Sequence, residues 1–338
     1  MEDAFGHRIS YLRVSITDRC NERCVYCMPE EGQNWLARNE VLSDDELLRV
    51  IGVAASLGVK KIRVTGGEPL TRSGSVGLVR RITEIPGIQD VGISTNGTLL
   101  TKTDPACPNR ESYLDGLVAA GISSINVSLD SLDPIAYAAS TGRDLLTKAL
   151  DGIRAARAEG VTVKINSVLM RNQTESDMGP LLDFAHKHGV LLRFIELMPL
   201  TDAEVLDDSR FLPAALARRI LQLRTGELKP RPDFRTNGPA SYFEVPDSGG
   251  QLVGFISALS DLHFCDTCDK LRLTCEGKLR PCLGSHLEFD LREQLRAPAG
   301  CTDDQIAEFF QNVVDRKPEA HEFRDGYLPG RHMIAIGG

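Results

Sequence analysis

Six short apolar runs punctuate the first part of the chain, and their spacing constrains the fold more than any other feature. They cover 11–16, 61–65, 91–95, 125–129, 161–169 and 190–196. The last five begin about thirty residues apart, the length of one βα unit. The segments between them carry helical periodicity. Ser43 and Glu46 form a capping box at the start of the first helix, and Gly58 ends it. Leu47, Leu48, Val50, Ile51, Ala54, Ala55 and Leu57 supply its apolar side. Further helices are predicted over 76–85, 112–120, 146–158 and 175–188, with Gly121 and Gly160 as stops and Pro180 inside the last.

Runs that are apolar on both faces suit a parallel sheet covered by helices. Six such units fall short of a complete eight-stranded barrel, and a doubly wound sheet is the rival arrangement. Polar residues cluster at the end of every run, among them Ser94-Thr95-Asn96-Gly97, Ser128-Leu129-Asp130 and Glu196. In a barrel those ends converge on one mouth, whereas in an open sheet they spread along an edge. The prediction is therefore an α/β fold, an incomplete (β/α)6 TIM-type barrel.

After Pro199 the alternation stops. The stretch 202–210 is acidic and irregular, 213–223 reads as a helix, and 229–250 is rich in Pro and Gly. Strands are predicted over 252–257 and 271–274, a hairpin turn at Glu276-Gly277, and helices over 287–295 and 303–314. The predicted organisation is a partial barrel over 1–199 and a C-terminal α+β extension over 200–338.

Composition narrows the class. The chain has 338 residues, 42% hydrophobic and 25% charged, which is ordinary for a soluble protein with a sizeable core. No apolar run reaches the ~18 residues that a membrane helix needs. The first eight residues resemble neither a secretory signal nor a transit peptide, so a cytoplasmic location is expected. A net charge of −8 argues against a nucleic-acid polymer as partner but leaves room for a nucleotide. Nine cysteines without an export signal do not suggest a disulfide framework.

Seven of those cysteines fall into two groups. Cys20, Cys24 and Cys27 lie on a loop that leaves the first strand. Thiolates are soft ligands that hold iron–sulfur clusters, and three of them leave one iron of a cubane open. The spacing is neither that of a zinc ribbon nor that of a two-thiol redox motif. The second group is Cys265, Cys268 and Cys282, with Cys275 between them. From spacing alone this second group also reads as a zinc site missing one ligand, with Cys275 or His263 as fourth. Cys107 and Cys301 stand apart as plain thiols.

The strand ends carry further chemistry. Thr65-Gly66-Gly67-Glu68-Pro69 combines glycines that allow close backbone approach with a carboxylate able to accept from an ammonium, and by itself it reads as a tight turn. Arg13, Arg63, Lys164, Asn166 and Arg193 fall on the strands, and Lys270 and Arg272 share one face of another. Buried cations need anionic partners, so several at one mouth favour a phosphate or carboxylate ligand, although any one could pair with a neighbouring acid.

Five features together resemble the GTP 3′,8-cyclases of molybdenum-cofactor biosynthesis (the MoaA family), within the radical S-adenosylmethionine (SAM) superfamily. They are 11–20, Tyr26-Cys27-Met28-Pro29, 65–69, the span Cys265 to Cys282 with Gly277-Lys278-Leu279-Arg280-Pro281-Cys282, and the Gly337-Gly338 tail. The resemblance implies a [4Fe–4S] cluster on Cys20, Cys24 and Cys27 that chelates SAM, and a second on Cys265, Cys268 and Cys282 whose open iron takes the guanine. It places Tyr26, Gly67, Ser128 and Met198 at SAM, and Arg13, Arg63, Thr95, Lys164, Lys270, Leu271 and Arg272 at GTP. Arg13, Lys270 and Arg272 take the catalytic role, Arg193 is a further contact, and the Gly-Gly tail reaches toward Arg13 to close the barrel. The implied reaction is reductive cleavage of SAM, hydrogen abstraction at C3′ of GTP and ring closure onto C8. Implied partners are a low-potential electron donor, the cyclic pyranopterin monophosphate synthase that receives the product, and a second copy in a homodimer, with no nucleic-acid polymer and no membrane.

Two departures stand out. The family pattern has Arg-x-Arg where this chain has Lys270-Leu271-Arg272, which keeps the charge but loses one bidentate fork. Cys275 is extra: as a fourth ligand it would close the second cluster, and a thiol facing away is the preferred reading. The insertion 104–111, with Cys107, reads as a surface loop. The alternatives are a radical SAM peptide- or sulfatase-modifying enzyme with an auxiliary cluster, and a non-catalytic zinc scaffold.

Overall fold

Alternation within each strand gives the sheet two unlike faces. In β1 (Tyr11–Ser15), Leu12 and Val14 are fully buried on one side while Arg13 points to the other. The same holds in β2 (Lys61–Thr65), where Ile62 and Val64 pack outward and Lys61, Arg63 and Thr65 line an interior cavity. Both faces are covered, but the inner one is polar, which corrects the expectation of strands apolar on both sides. The chain is described here by a computed structural model covering residues 1–29, 33–107, 109–200, 209–236, 238–323, 327 and 330–337. The acidic stretch 202–208, Pro108 and Gly338 lie outside the described residues.

Helices cover the outer face. They are α1 (Asp44–Ser56), α2 (Ser75–Thr83), α3 (Tyr113–Ala119), α4 (Pro134–Thr141), α5 (Leu146–Ala158) and α6 (Thr174–His188). The predicted capping box at Ser43 and Glu46 is present, and Ser112 with Asp115 forms another. Helix α4 is absent from the sequence prediction, although its signals are there: Asp133 caps it, Pro134 occupies its first turn and Gly142 closes it in a left-handed conformation, φ 66°. Between the helices run β3 (Asp90–Thr95), β4 (Ser124–Ser128), β5 (Thr162–Leu169) and β6 (Leu191–Glu196).

Strands β1 to β6 pair in consecutive order, all parallel. A doubly wound sheet reverses order at a switch point, and no reversal occurs here. The C-terminal region extends this sheet at both ends. After α7 (Ala214–Thr225) come β7 (Lys229–Pro230), β8 (Ser241–Glu244) and β9 (Leu252–Ile256), and β9 joins β6 in parallel. At the opposite edge β10 (Lys270–Leu273) joins β1 in parallel, and β11 (Lys278–Arg280) returns antiparallel through the predicted turn at Gly277. The predicted helix over 287–295 is instead β12 (Phe289–Asp290) followed by α8 (Leu291–Leu295), because Phe289 and Asp290 pair with Leu279 and Lys278. Both outer edges end in two-residue strands, which limits edge-to-edge pairing.

The core continues across the predicted division at 199. Ile306, Phe310, Val313 and Val314 of α9 (Asp303–Asp315) are fully buried in the cluster that includes Leu47 and Val50 of α1. The short α10 (Met333–Ile336) ends the described chain beside Met198 and Leu200. Among the described residues, no helix is long and apolar enough to cross a membrane.

Candidate active site

The first cysteine loop is held by four neighbours in the fold. Gly67 and Glu68 donate their backbone N–H groups to the carbonyls of Thr17 and Arg19, each at 2.8 Å. A Cβ on Gly66 or Gly67 would run into that same backbone, so the two glycines permit close approach of the loop itself. The end of α4 takes the other side, where Arg23 and Val25 donate to the carbonyls of Thr141 and Ser140 at 2.7 and 3.0 Å. Asn21 is locked between Asn96 and Thr98, both at 2.9 Å. The Tyr26 hydroxyl donates to Asp130 at 2.7 Å, and Asp130 also accepts from the Val168 N–H and the Ser140 hydroxyl.

Glu68 departs from expectation. It is completely buried, accepts from Leu70 N, Asn96 N and the Thr95 hydroxyl, and does not line the cavity. Its carboxylate braces the turn and is not available to an ammonium ligand. Thr95 lines the cavity, but its hydroxyl is given to Glu68.

Burial sets the thiol chemistry. It pushes Cys20 and Cys27 up to about 12 and Cys24 well above the usual range, and the neighbouring Glu68, Cys20 and Glu22 respectively add to the effect. Glu22 itself, receiving the Tyr137 hydroxyl from α4, is pushed up to about 7 mainly by burial. Such a loop becomes a set of thiolates only when a metal supplies the compensating charge.

The second triad is assembled by the β10–β11 hairpin. Cys265 and Cys268 precede β10 and Cys282 follows β11, so all three meet at the open end of the hairpin, while Cys275 sits in its closed end. Cys275 is 1% exposed, is bonded to the Ser15 side chain and lies off the cavity, whereas Cys265, Cys268 and Cys282 line it. His263 is turned to Asp266 at 2.8 Å. Lys317 donates to Cys268 Sγ at 3.5 Å. Among the described residues, neither triad converges on the single point that one zinc ion demands. A cubane puts each thiolate on a different iron, so spread thiols, with Cys275 off the cavity and not joined to the second triad, fit it better.

Because β10 runs parallel to β1, its leading end lies beside the start of β1, and the first loop leaves the other end of that strand. The two triads therefore face each other along the inner side, separated by a strand of five residues, roughly 15 Å at ~3.3 Å per residue. Cations fill the interval. Arg272, Arg13 and Arg63 stand in register across β10, β1 and β2, with Lys270 and Lys61 flanking Tyr11 one row away. Lys270 donates to Asp269 at 2.7 Å and lies over the Tyr11 ring. Arg63 crosses Gly92, where a Cβ would collide with its guanidinium, and donates to Tyr11, Ile93 O, Ser124 O and Ser124 Oγ. Arg193 makes two bonds to Asn166 Oδ1.

Burial, with Arg193 and Arg63 adding, pushes Lys164 down to about 8; burial with Arg13 and Arg280 pushes Arg272 down to about 9. Two like charges about 5 Å apart repel by roughly 3 kcal/mol at the dielectric of a protein surface. A polyanion bound against the row would relieve that repulsion.

One cavity of about 1030 Å³ contains both triads, these cations, and Tyr26, Gly67, Ser128 and Met198. That is at the upper end of the size for a single ligand, and suits two. Leu271 is the exception among the predicted contacts: its side chain is fully buried in the outer core, on the opposite face of β10 from Lys270 and Arg272. Gly337 accepts through its carbonyl from Arg272 at 3.3 Å, and Gly338 lies outside the described residues. Cys107 and Cys301 are away from the cavity. Sequence reasoning missed Lys61, whose strand alternation with Arg63 signals it, and Glu22, Tyr137 and Lys317, whose roles depend on partners far along the chain.

Gly67→Ala tests the loop's dependence on the glycine turn. The new methyl group displaces the backbone at Arg19, so anaerobically reconstituted protein should keep its circular dichroism and lose about half of its iron. Full iron loading would contradict the assignment.

Residues 14–185 match the model of the Radical SAM superfamily, and residues 190–323 match that of Molybdenum Cofactor Synthesis C. A GTP 3′,8-cyclase of Pelotomaculum thermopropionicum is 41% identical over 339 residues and that of Heliobacterium modesticaldum 42% over 346, with all of both chains covered in each case. One from Caulobacter vibrioides is 39% identical, covering 99% of this chain and 93% of its own. Among solved structures, Streptococcus suis SuiB shares the fold at 15% identity, with a TM-score of 0.58 over 96% of this chain and 78% of its own. The full-length identities and the two matched segments agree with the geometry of the cavity: the chain belongs to the GTP 3′,8-cyclase family of the radical SAM superfamily.

Proposed function

We propose that the chain converts GTP to (8S)-3′,8-cyclo-7,8-dihydroguanosine 5′-triphosphate, the first step of molybdenum-cofactor biosynthesis, using SAM and two [4Fe–4S] clusters. The observation that carries this reading is the placement of two thiol triads at opposite ends of one cavity with an in-register row of cations between them. Residues 1–199 would supply the SAM site and part of the grip on the triphosphate, and residues 200–338 the second cluster site and the rest of that grip. Cys20, Cys24 and Cys27 would hold the first cluster, with Tyr26, Gly67, Ser128 and Met198 around SAM. Cys265, Cys268 and Cys282 would hold the second, which would take the guanine. When bound, the first cluster supplies the electron that cleaves SAM to the radical able to take hydrogen from the ribose of GTP.

The chain's own part is grip, orientation and exclusion of water. Arg13, Lys164, Lys270 and Arg272 are the contacts for the triphosphate. Arg63 has four of its five N–H groups engaged by the protein, so it acts chiefly by adding charge and by fixing Tyr11. Lys270, a point charge steered by Asp269, contributes no bidentate fork. Holding a substrate by both ends presents one ribose carbon to the reacting group and excludes others. The reading also includes a low-potential electron donor, a downstream cyclic pyranopterin monophosphate synthase, a homodimer and a cytoplasmic setting, all on family resemblance. A peptide- or sulfatase-modifying activity is not favoured, because the full-length identities are with GTP 3′,8-cyclases.

Anaerobic reconstitution should load about eight irons per chain, and incubation with GTP, SAM and dithionite should yield the cyclic nucleotide. Lys270→Ala and Arg272→Ala should each weaken GTP binding at least tenfold, the scale of a lost charge-assisted hydrogen bond of about 1.5–3 kcal/mol. Uncoupled 5′-deoxyadenosine as the only product would overturn the assignment.

A pH dependence follows from Lys164. Its ammonium is present below about 8 and is lost as pH rises through that value. A bound polyanion favours the charged form, so GTP affinity should fall by up to about tenfold per pH unit above 8, and Lys164→Met should flatten that limb. Folding runs the other way. The unfolded chain keeps this proton to its ordinary value of 10.5, so stability should rise between about 8 and 10.5. Isothermal titration of GTP from pH 7 to 9 checks the first, and urea midpoints over pH 8 to 10 the second.

A further inference from the structure

Lys317 stands where the reaction described so far gives it no task. It follows the C-terminus of α9, with its own N–H bonded to Val314 O at 3.0 Å, and is only 5% exposed. Fully buried lysines are rare unless paired with an acid. Here, among the described residues, no Asp or Glu makes an ion pair with it. Its three N–H groups go instead to Pro281 O at 2.7 Å, Lys270 O at 3.2 Å and Cys268 Sγ at 3.5 Å. Those acceptors belong to both arms of the hairpin that carries the second triad. Pro281 adjoins Cys282, and Lys270 follows Cys268 by two residues. A helix rooted in the core by Phe310, Val313 and Val314 thus delivers one ammonium to the point where the two arms meet.

We infer that Lys317 is a positioning residue for the second cluster, holding both arms of its thiol triad and raising its reduction potential through an N–H···S bond and a fixed positive charge. This rests on the reading that the second triad holds a [4Fe–4S] cluster. The physical argument is charge balance. A cubane core on three thiolates is an anion, more so when reduced, and the buried ammonium has no carboxylate to neutralise it. Hydrogen bonds to cluster sulfurs and net local charge are the levers that set such potentials. Arg272, a second cation near Cys268 and Cys282, is bonded to Gly337 and lines the cavity, so it is set to answer to GTP. Lys317 has no donor left over for a substrate, and its effect is constant through the cycle.

The test uses the full-length chain carrying Cys20→Ala, Cys24→Ala and Cys27→Ala, so that only the second triad can hold iron. Reconstituted anaerobically, this background should carry about four irons. Their absence would overturn the two-cluster reading itself, whatever Lys317 does. On this background, Lys317→Met and Lys317→Arg are compared by redox titration followed by electron paramagnetic resonance. Lys317→Met should shift the reduction equilibrium at least tenfold toward the oxidised form, about 59 mV for a one-electron couple, and Lys317→Arg should shift it much less. If Lys317→Met fails to hold iron, retention in Lys317→Arg supports the same role. Iron lost from both variants, an equal shift in both, or a midpoint unmoved in Lys317→Met would each overturn the inference.

Discussion

The parallel pairing of β10 with β1 is the contact on which the site depends. Four aligned residue pairs, Tyr11 with Lys270 through Val14 with Leu273, lay a segment from late in the chain along its first strand. Asp269 fastens the start of that pairing, accepting from the N–H groups of Ser10 and Tyr11 at 3.1 Å and from the Ser10 hydroxyl at 3.0 Å. The register decides the chemistry. It puts Arg272 beside Arg13 on the cavity side, and a slip by one residue would present Leu271 instead. The same pairing carries the second triad to the opposite end of the cavity from the first, because its cysteines flank the open end of the hairpin.

Electrostatics then gives the cavity its character. The chain is acidic as a whole, yet Arg13, Arg63, Lys61, Lys164, Arg193, Lys270 and Arg272 face one cavity. Burial and mutual repulsion hold Lys164 and Arg272 below their ordinary values, so the free protein stores an unfavourable interaction that an anionic ligand relieves. Sites that break a local rule of stability in this way are commonly functional ones. The surrounding fold tolerates the row because its outer face is a continuous apolar core, from Leu12 and Val14 to Phe194 and Phe310.

Much of this was legible in the sequence, for physical reasons that differ by element. The βα alternation and the two cysteine groups are local patterns; the alternation is present, and both triads line one cavity. The shared face of Lys270 and Arg272 follows from strand period alone, and the same period should have turned Leu271 away. The role of Glu68 is not legible locally, because its partners Thr95 and Asn96 come from the next strand and engage its buried carboxylate. Helix α4 was overlooked although Asp133, Pro134 and Gly142 mark it, and with it went the grip on the cysteine loop through Thr141, Ser140 and Tyr137. Lys317 was invisible for a simpler reason. At the end of a helix a lysine reads as a cap, and only the tertiary fold brings Cys268 and Pro281 to it.

The central claim is that one cavity presents the substrate to two metal centres at once, the second binding it directly. The most direct measurement is the electron paramagnetic resonance spectrum of the second cluster, recorded in the chain with Cys20, Cys24 and Cys27 replaced by Ala, before and after GTP is added. The account predicts a changed spectrum, with nitrogen couplings from isotopically labelled guanine. A spectrum that GTP leaves unaltered, in a protein shown to bind GTP, would contradict it.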